Sequence, residues 1–315
     1  MSKYRNQLPQ LNGKLFLTDG GMETTLIFHD GIDLPCFAAF DLLREKAGTE
    51  KLRNYYDLYA SMAKKSDLGF VLESPTWRAN FDWAKKLGYS EEALAVANQE
   101  GIEMMSEIRN AHETDQSPMV ISGSIGPRGD GYIPGDVMTP DEAERYHSTQ
   151  INTFAASQAD MVSALTITNT PEAIGVTRAA QKAGIPVVIS FTLETDGRLP
   201  TGETLRDAIV KTDAETENGP AYYMINCAHP SHFDTTLATD EDWVKRIRGI
   251  RANASSCSHA ELNEAEELDD GDPRALGQEI GAITRRHNHI NVVGGCCGTD
   301  HRHIEQISLE CSAIA

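Results

Sequence analysis

Short apolar runs alternate with amphipathic helical segments along this chain, and this alternation restricts the fold more than any other feature of the sequence. Eight runs have strand character: residues 15–19, 70–73, 119–122, 161–165, 187–191, 222–226, 248–251 and 290–293. Amphipathic helices are predicted over residues 50–65, 91–111, 140–159, 171–183 and 272–286. Alternating strands and helices indicate a parallel sheet covered by helices. Eight such units in 315 residues predict an α/β protein with a single (β/α)8 TIM barrel domain over residues 1–315.

Charge and hydropathy exclude several classes of partner. The chain has 47 acidic and 28 basic residues, a formal charge of −19, so we expect no nucleic-acid partner, because phosphate binding depends on cationic side chains. No apolar stretch approaches the roughly 20 residues of a membrane-spanning helix, so we expect no membrane partner and a cytoplasmic location. The acidic stretch 255–272, which includes Glu266, is predicted to form a solvated loop or helix. The sequence leaves formation of a homo-oligomer open.

Three of the six cysteines lie at predicted strand ends. Cys227 ends the sixth strand, and Cys296 and Cys297 follow the eighth strand between glycines. Adjacent side chains of a regular strand point to opposite faces, so both vicinal sulfurs can bind one ion only if the backbone leaves the strand there, which the flanking glycines permit. Three thiolates from two strand ends indicate a zinc site with an open fourth position. Burial as small apolar residues, or a disulfide or redox pair of Cys296 with Cys297, are the alternatives.

Other polar residues also follow predicted strands. Asp19, Gly20 and Gly21 follow the first strand, Glu73 ends the second, and Asn226 precedes Cys227. Barrel active sites form at the carboxyl ends of the strands, so we expect these residues around one cavity. The Asp-Gly-Gly turn lets backbone amides approach an anionic ligand group, although a tight turn without ligand contact is the alternative.

The motifs together resemble those of the zinc-dependent homocysteine S-methyltransferase family, over residues from about Leu15 to Ile304. The motifs that carry the resemblance are Asp19-Gly20-Gly21-Met22-Glu23-Thr24, Ser122-Gly123-Ser124-Ile125-Gly126-Pro127, Ser190-Phe191-Thr192, Asn226-Cys227 and Gly294-Gly295-Cys296-Cys297-Gly298-Thr299.

The resemblance implies a (β/α)8 barrel in which Cys227, Cys296 and Cys297 hold Zn²⁺ and the sulfur of homocysteine completes the coordination. It implies that Asp19 binds the substrate amino group, and that the amides of Gly20 and Gly21 meet the substrate carboxylate. Asn226 is placed with the substrate-binding residues.

One position departs from the family pattern. The family usually has a glutamate at the end of strand four as a second partner for the substrate ammonium, whereas this chain has Leu165. If Leu165 replaces the acid, recognition of the ammonium rests mainly on Asp19; if another acid completes the pocket instead, Glu73 and Glu194 are the candidates.

The resemblance implies a methyl transfer to homocysteine that gives methionine, and the ligand set suits this chemistry. Metal coordination supplies the substrate thiol as a thiolate at neutral pH, and three cysteine ligands leave electron density on the substrate sulfur. The methyl donor is expected to be a small onium compound, either a sulfonium such as S-methylmethionine or a quaternary ammonium such as betaine. Trp77 either faces this cation or is a core aromatic residue.

Three alternatives stay open on the sequence alone. They are a zinc barrel enzyme that acts on another thiol, a zinc-dependent lyase or hydrolase, and a non-enzymatic thiol redox or metal-binding protein.

Overall fold

The strands form one closed parallel barrel in which sequence order is also spatial order. The structure is a computed structural model that describes residues 1–264 and 267–312, so Glu266 lies outside the described residues. The described strands are β1 (Phe16–Leu17), β2 (Gly69–Glu73), β3 (Met119–Ile125), β4 (Met161–Ile167), β5 (Val187–Thr192), β6 (Tyr222–Ala228), β7 (Ile247–Ala252) and β8 (Val292–Gly295). Closure occurs between β1 and β8, where Leu17 pairs with Val293. The predicted barrel and its eight strands are therefore confirmed.

Helices surround the barrel. The described α-helices are α1 (Met22–Thr24), α2 (Lys46–Lys65), α3 (Phe81–Lys86), α4 (Glu91–His112), α5 (Pro140–Ala155), α6 (Thr170–Ala183), α7 (Leu205–Thr216), α8 (Pro230–Leu237), α9 (His259–Glu264), α10 (Pro273–Arg286) and α11 (His301–Ser312). The five predicted helices are present, but α5 ends at Ala155 rather than at residue 159. It ends early because the chain must turn back so that the Asp160 amide donates to the Ile121 carbonyl and begins β4. Among the described helices, none is both long and apolar enough to cross a membrane.

Apolar side chains and the N-terminal segment close the amino-terminal end of the barrel. Leu8 packs there against the buried ring of Phe16 and its neighbours. The Asp160 carboxylate accepts hydrogen bonds from the amides of Lys3 and Tyr4 and from the Arg109 guanidinium. With this end filled, the space for a ligand lies at the opposite end, where the strands finish.

Two strand irregularities at that opposite end change which way side chains point. The pairing register shifts in β4 between Ala164 and Ile167, and in β6 between Asn226 and Ala228. Within these shifts Thr166 and Cys227 have left-handed backbone angles, with φ of 62° and 52°. A bulge interrupts the alternation of side chains between the two faces. Asn226 and Cys227 can therefore both face the same cavity, although they are adjacent in sequence.

Candidate metal and substrate site

The three predicted metal ligands meet at the mouth of the barrel. The sulfurs of Cys227, Cys296 and Cys297, here called the sulfur cluster, all lie within 4.8 Å of one another. Cys227 and Cys296 are joined as a disulfide with their Cα atoms 5.5 Å apart, and Cys297 is free with its Sγ 3.7 Å from that of Cys227. A disulfide between Cys296 and Cys297 is thus not formed. In the reduced state the three thiols form a soft ligand set for one metal ion.

Glycines place the two vicinal cysteines. β8 ends at Gly295, so Cys296 and Cys297 lie in the turn that follows, as their sequence predicts. A Cβ at Gly295 would collide with the Thr299 side chain, and Gly298 has a left-handed φ of 78°. Because the backbone leaves the strand before Cys296, both sulfurs reach one side of the turn and line the cavity.

A tyrosine that sequence analysis did not single out contacts the sulfur cluster. The Tyr132 hydroxyl, from the loop between β3 and α5, lies 3.0 Å from Cys297 Sγ. Its ring stacks on His259 of α9 with 4.0 Å between centroids, and His259 Nε2 lies 2.7 Å from the Cys227 carbonyl oxygen. Burial raises the pKa of the Cys297 thiol, and the hydrogen bond with Tyr132 partly opposes that rise. No spacing in the sequence links this loop to the cysteines, which is why the residue was missed.

Asn226 connects the cluster to β4. Its Oδ1 accepts hydrogen bonds from the Thr166 amide at 2.8 Å and from the Ser190 hydroxyl at 2.6 Å, and its Nδ2 lies 3.9 Å from Cys296 Sγ. The side chain thus satisfies the backbone freed by the β4 bulge and faces the sulfur cluster.

Asp19 lies at the predicted place but is held by an arginine. Arg251, at the end of β7, donates to Asp19 Oδ1 at 2.6 Å and to Glu73 Oε2, and all three side chains are buried. We call these residues the acid–arginine triad. The Tyr55 hydroxyl donates to the other Asp19 oxygen at 3.0 Å. Burial raises the pKa of Asp19, and the charge of Arg251 opposes this rise. The sequence offered one signal for Arg251, a charged residue within a barrel strand.

The two glycines after Asp19 differ in what their amides contact. The Gly21 amide donates to the Thr299 carbonyl oxygen at 2.9 Å and lies 3.1 Å from its hydroxyl. In the described part of the chain, the Gly20 amide has no hydrogen-bond acceptor. Side chains are excluded here, because a Cβ would lie 2.9 Å from the Tyr59 hydroxyl at Gly20 and 2.5 Å from the Cys296 carbonyl oxygen at Gly21.

Leu165 and Trp77 line the same cavity. Leu165 lies two residues before the end of β4 on the cavity side, where the resemblance implies an acid, and it is 7% exposed. Trp77 Nε1 donates to the Leu165 carbonyl oxygen at 3.1 Å, and the Arg78 guanidinium lies 4.2 Å from the centre of the Trp77 ring. One face of the indole is therefore occupied by a cation of the protein itself.

A closed parallel barrel with three clustered sulfurs and a buried charged cluster at its mouth has the architecture of a barrel enzyme with a candidate metal site. Comparison with known proteins specifies the class further. The family model described as homocysteine S-methyltransferase matches residues 16–311. The chain belongs to this family, and it is a methyltransferase whose acceptor is the thiol of homocysteine. Family membership excludes the non-enzymatic alternative.

Individual relatives agree with this assignment. The chain is 22% identical over 263 residues to Homocysteine S-methyltransferase 2 of Arabidopsis thaliana, covering 75% of this chain and 77% of that protein. Its fold is similar to the homocysteine methyltransferase MmuM of Escherichia coli in an oxidised form, with a TM-score of 0.74, 17% identity, and coverage of 98% and 99% of the two chains. The metallated form of MmuM matches with a TM-score of 0.71 at 17% identity, over 94% and 96% of the chains.

Proposed function

We propose that the enzyme moves a methyl group from a small onium donor to homocysteine bound at a zinc ion held by Cys227, Cys296 and Cys297, giving methionine. The observation that carries the proposal is the sulfur cluster itself, in which three sulfurs within 4.8 Å of one another line an open cavity.

The donor set fits zinc. Three thiolates without a histidine or carboxylate ligand favour a soft or borderline ion, and a site with three protein ligands keeps a fourth position for substrate. Zinc bound there would supply the homocysteine sulfur as a thiolate at neutral pH. A cytoplasmic location is part of the proposal, because the three cysteines must stay reduced to bind metal.

The acceptor backbone would extend from the sulfur cluster toward β1. The Gly20 amide is free to donate to the substrate carboxylate, whereas the Gly21 amide is already bound to Thr299. Asp19 offers its carboxylate to the substrate ammonium, but it shares this charge with Arg251. Tyr132 and Asn226 would hold the cysteine sulfurs in place.

An onium donor suits the groups at the cavity. Attack on an onium methyl expels a neutral sulfide or amine, so the reaction needs no side chain to protonate the leaving group. Four acids line the described cavity, Asp19, Glu23, Glu73 and Asp130, against two arginines, Arg78 and Arg251. This excess of negative charge favours a cation.

The test is a donor screen with the metal-loaded protein. Homocysteine is incubated separately with S-methylmethionine and with betaine, and methionine is measured by mass spectrometry. We expect methionine with at least one donor, none with Cys297→Ala, and normal turnover with Cys257→Ala, because Cys257 lies outside the sulfur cluster. Absence of methionine with every onium donor would refute the proposal.

A further inference from the structure

We propose that Glu23 binds the ammonium group of the amino-acid acceptor. It would take the role of the strand-four acid of the family, at whose position this chain has Leu165. This inference rests on the proposed function, since it assigns a specificity residue of that same site.

The other candidate acids already have protein partners. Glu73 is paired with Arg251 inside the acid–arginine triad. Asp130 lies 3.9 Å from the Arg78 guanidinium. Glu194 does not line the cavity and lies 3.1 Å from His259 Nδ1. Asp19 is also paired with Arg251, so Glu23 is the one acid lining the described cavity that has no ion-pair partner among the described residues.

Glu23 has no partner of opposite charge. It lies in α1, four residues after Asp19, and its side chain lines the cavity. Among the described residues, no other side chain donates a hydrogen bond to its carboxylate, and no Lys, Arg or His nitrogen lies within 4.0 Å of it. Burial raises the pKa of Glu23, although a hydrogen bond from its own backbone amide and the more distant charges of Arg251 and Arg78 partly oppose this rise. A desolvated carboxylate without a cation is costly, and a cationic ligand removes that cost.

Glu23 shares its cavity with the groups proposed to hold the two ends of the acceptor. The three cysteines of the sulfur cluster line this cavity with it, and so do Asp19 and Arg251. Homocysteine carries its ammonium and its carboxylate on the same carbon, so an acceptor with its sulfur at the cluster and its carboxylate at the Gly20 amide exposes its ammonium to the acids of this cavity. Glu23 is the acid of this cavity that forms no ion pair with the described residues.

The triad strengthens this assignment by charge balance. Asp19, Arg251 and Glu73 together carry one net negative charge, and Arg78 with Asp130 carries none. Glu23 thus adds a further negative charge to a cavity in which leucine occupies the family's acidic position. The sequence contained this residue within the Asp19–Thr24 motif, but nothing in the motif showed which way the side chain points.

The experiment measures binding, so it does not depend on turnover. L-homocysteine and its des-amino analogue 4-mercaptobutyrate are titrated calorimetrically into zinc-loaded wild type, Glu23→Gln, and the double variant Glu23→Gln/Leu165→Glu. We expect Glu23→Gln to lower the affinity for homocysteine about tenfold or more, because a charge-assisted contact to the ammonium is lost. The affinity for 4-mercaptobutyrate should stay unchanged. The double variant restores an acid at the family position and should recover most of the homocysteine affinity.

Controls separate a local effect from misfolding. Glu103→Gln changes an exposed glutamate of α4 and should leave both affinities unchanged. Glu23→Asp keeps the negative charge, so its affinity for homocysteine should lie between those of wild type and Glu23→Gln. The inference is overturned if Glu23→Gln leaves the affinity for homocysteine unchanged, or if it lowers the affinities for homocysteine and 4-mercaptobutyrate equally. A wild type that binds homocysteine through Glu23 but makes no methionine would refute the proposed function alone.

Discussion

Replacing Arg251 by methionine should destabilise the protein strongly, because it leaves two buried carboxylates without their shared cation. In the wild type, Arg251 bridges Asp19 and Glu73 and also donates through Nε to the Gly295 carbonyl oxygen at 3.0 Å. The exposed fraction of these three side chains is between 4% and 8%, so water cannot replace the guanidinium.

The magnitude follows from the burial of the pair. Removing one partner of a buried ion pair costs about 3–5 kcal/mol. With an unfolding entropy of about 2.1 cal/mol/K per residue, a chain of 315 residues should lose roughly 5–8 °C in Tm. An exposed pair gives the matched control: Arg128→Met removes the partner of Asp82, where both side chains are more than a third exposed, and should cost less than about 1 kcal/mol.

The effect of Arg251→Met should also depend on pH with a definite sign. Burial already raises the pKa of Asp19, and Arg251 opposes this rise, so without Arg251 the pKa in the folded state goes higher still. The folded variant then binds more protons than the unfolded chain at pH values between the unfolded and the folded pKa. Its unfolding free energy therefore falls as pH rises through that window.

Thermal melts of the variant and wild type between pH 5.5 and 8 measure both effects. The deficit in Tm should be larger at pH 8 than at pH 5.5. A deficit below about 1 °C, or one that is the same at every pH, would show that the triad is not a buried ion network of the kind described.

Three further predictions concern the site directly. Alanine at any one of the three clustered cysteines should reduce bound zinc well below one ion per chain, whereas Cys257→Ala should keep the wild-type zinc content. Full zinc content, measured by elemental analysis, in all three cluster variants would contradict the proposed ligand set. Tyr132→Phe should lower the affinity for zinc about tenfold in a chelator competition, because groups that contact metal ligands typically contribute that much to metal affinity. An unchanged zinc affinity would show that the contact with Cys297 does not support metal binding. Asp19→Asn keeps a hydrogen-bond acceptor for Arg251 but removes the negative charge, so the KM for homocysteine should rise about tenfold while the KM for the methyl donor stays the same. An unchanged KM for homocysteine would show that Asp19 does not bind this substrate.

The fold could be predicted from the sequence because it depends on local patterns. Each strand is a short apolar run and each barrel helix an amphipathic segment, and their alternation leaves few topologies. Even the weak run 248–251 is a strand, β7, whose register with β6 and β8 is set by its neighbours. The predicted position of Cys296 and Cys297 in a turn after the last strand was also correct, because the flanking glycines allow the backbone to leave the strand there.

Side-chain partnerships across the barrel could not be predicted in the same way. Arg251 pairs with residues more than 170 positions away in sequence, and Tyr132 reaches the sulfur cluster from a loop. Glu73 lines the cavity as expected, but its charge is used by Arg251, so it is not free to replace the missing acid. Such pairings depend on which strand ends face one another, and only the closed barrel fixes that.

The central claim is that the substrate sulfur binds to a zinc ion held by the three cysteines, and zinc-edge X-ray absorption tests it most directly. The zinc-loaded protein is measured alone, with homocysteine, and with selenohomocysteine. The account predicts three sulfur ligands at about 2.3 Å in the protein alone, a fourth sulfur after homocysteine is added, and a zinc–selenium distance with the selenium analogue. A zinc environment that does not change when either acceptor is added would contradict the account.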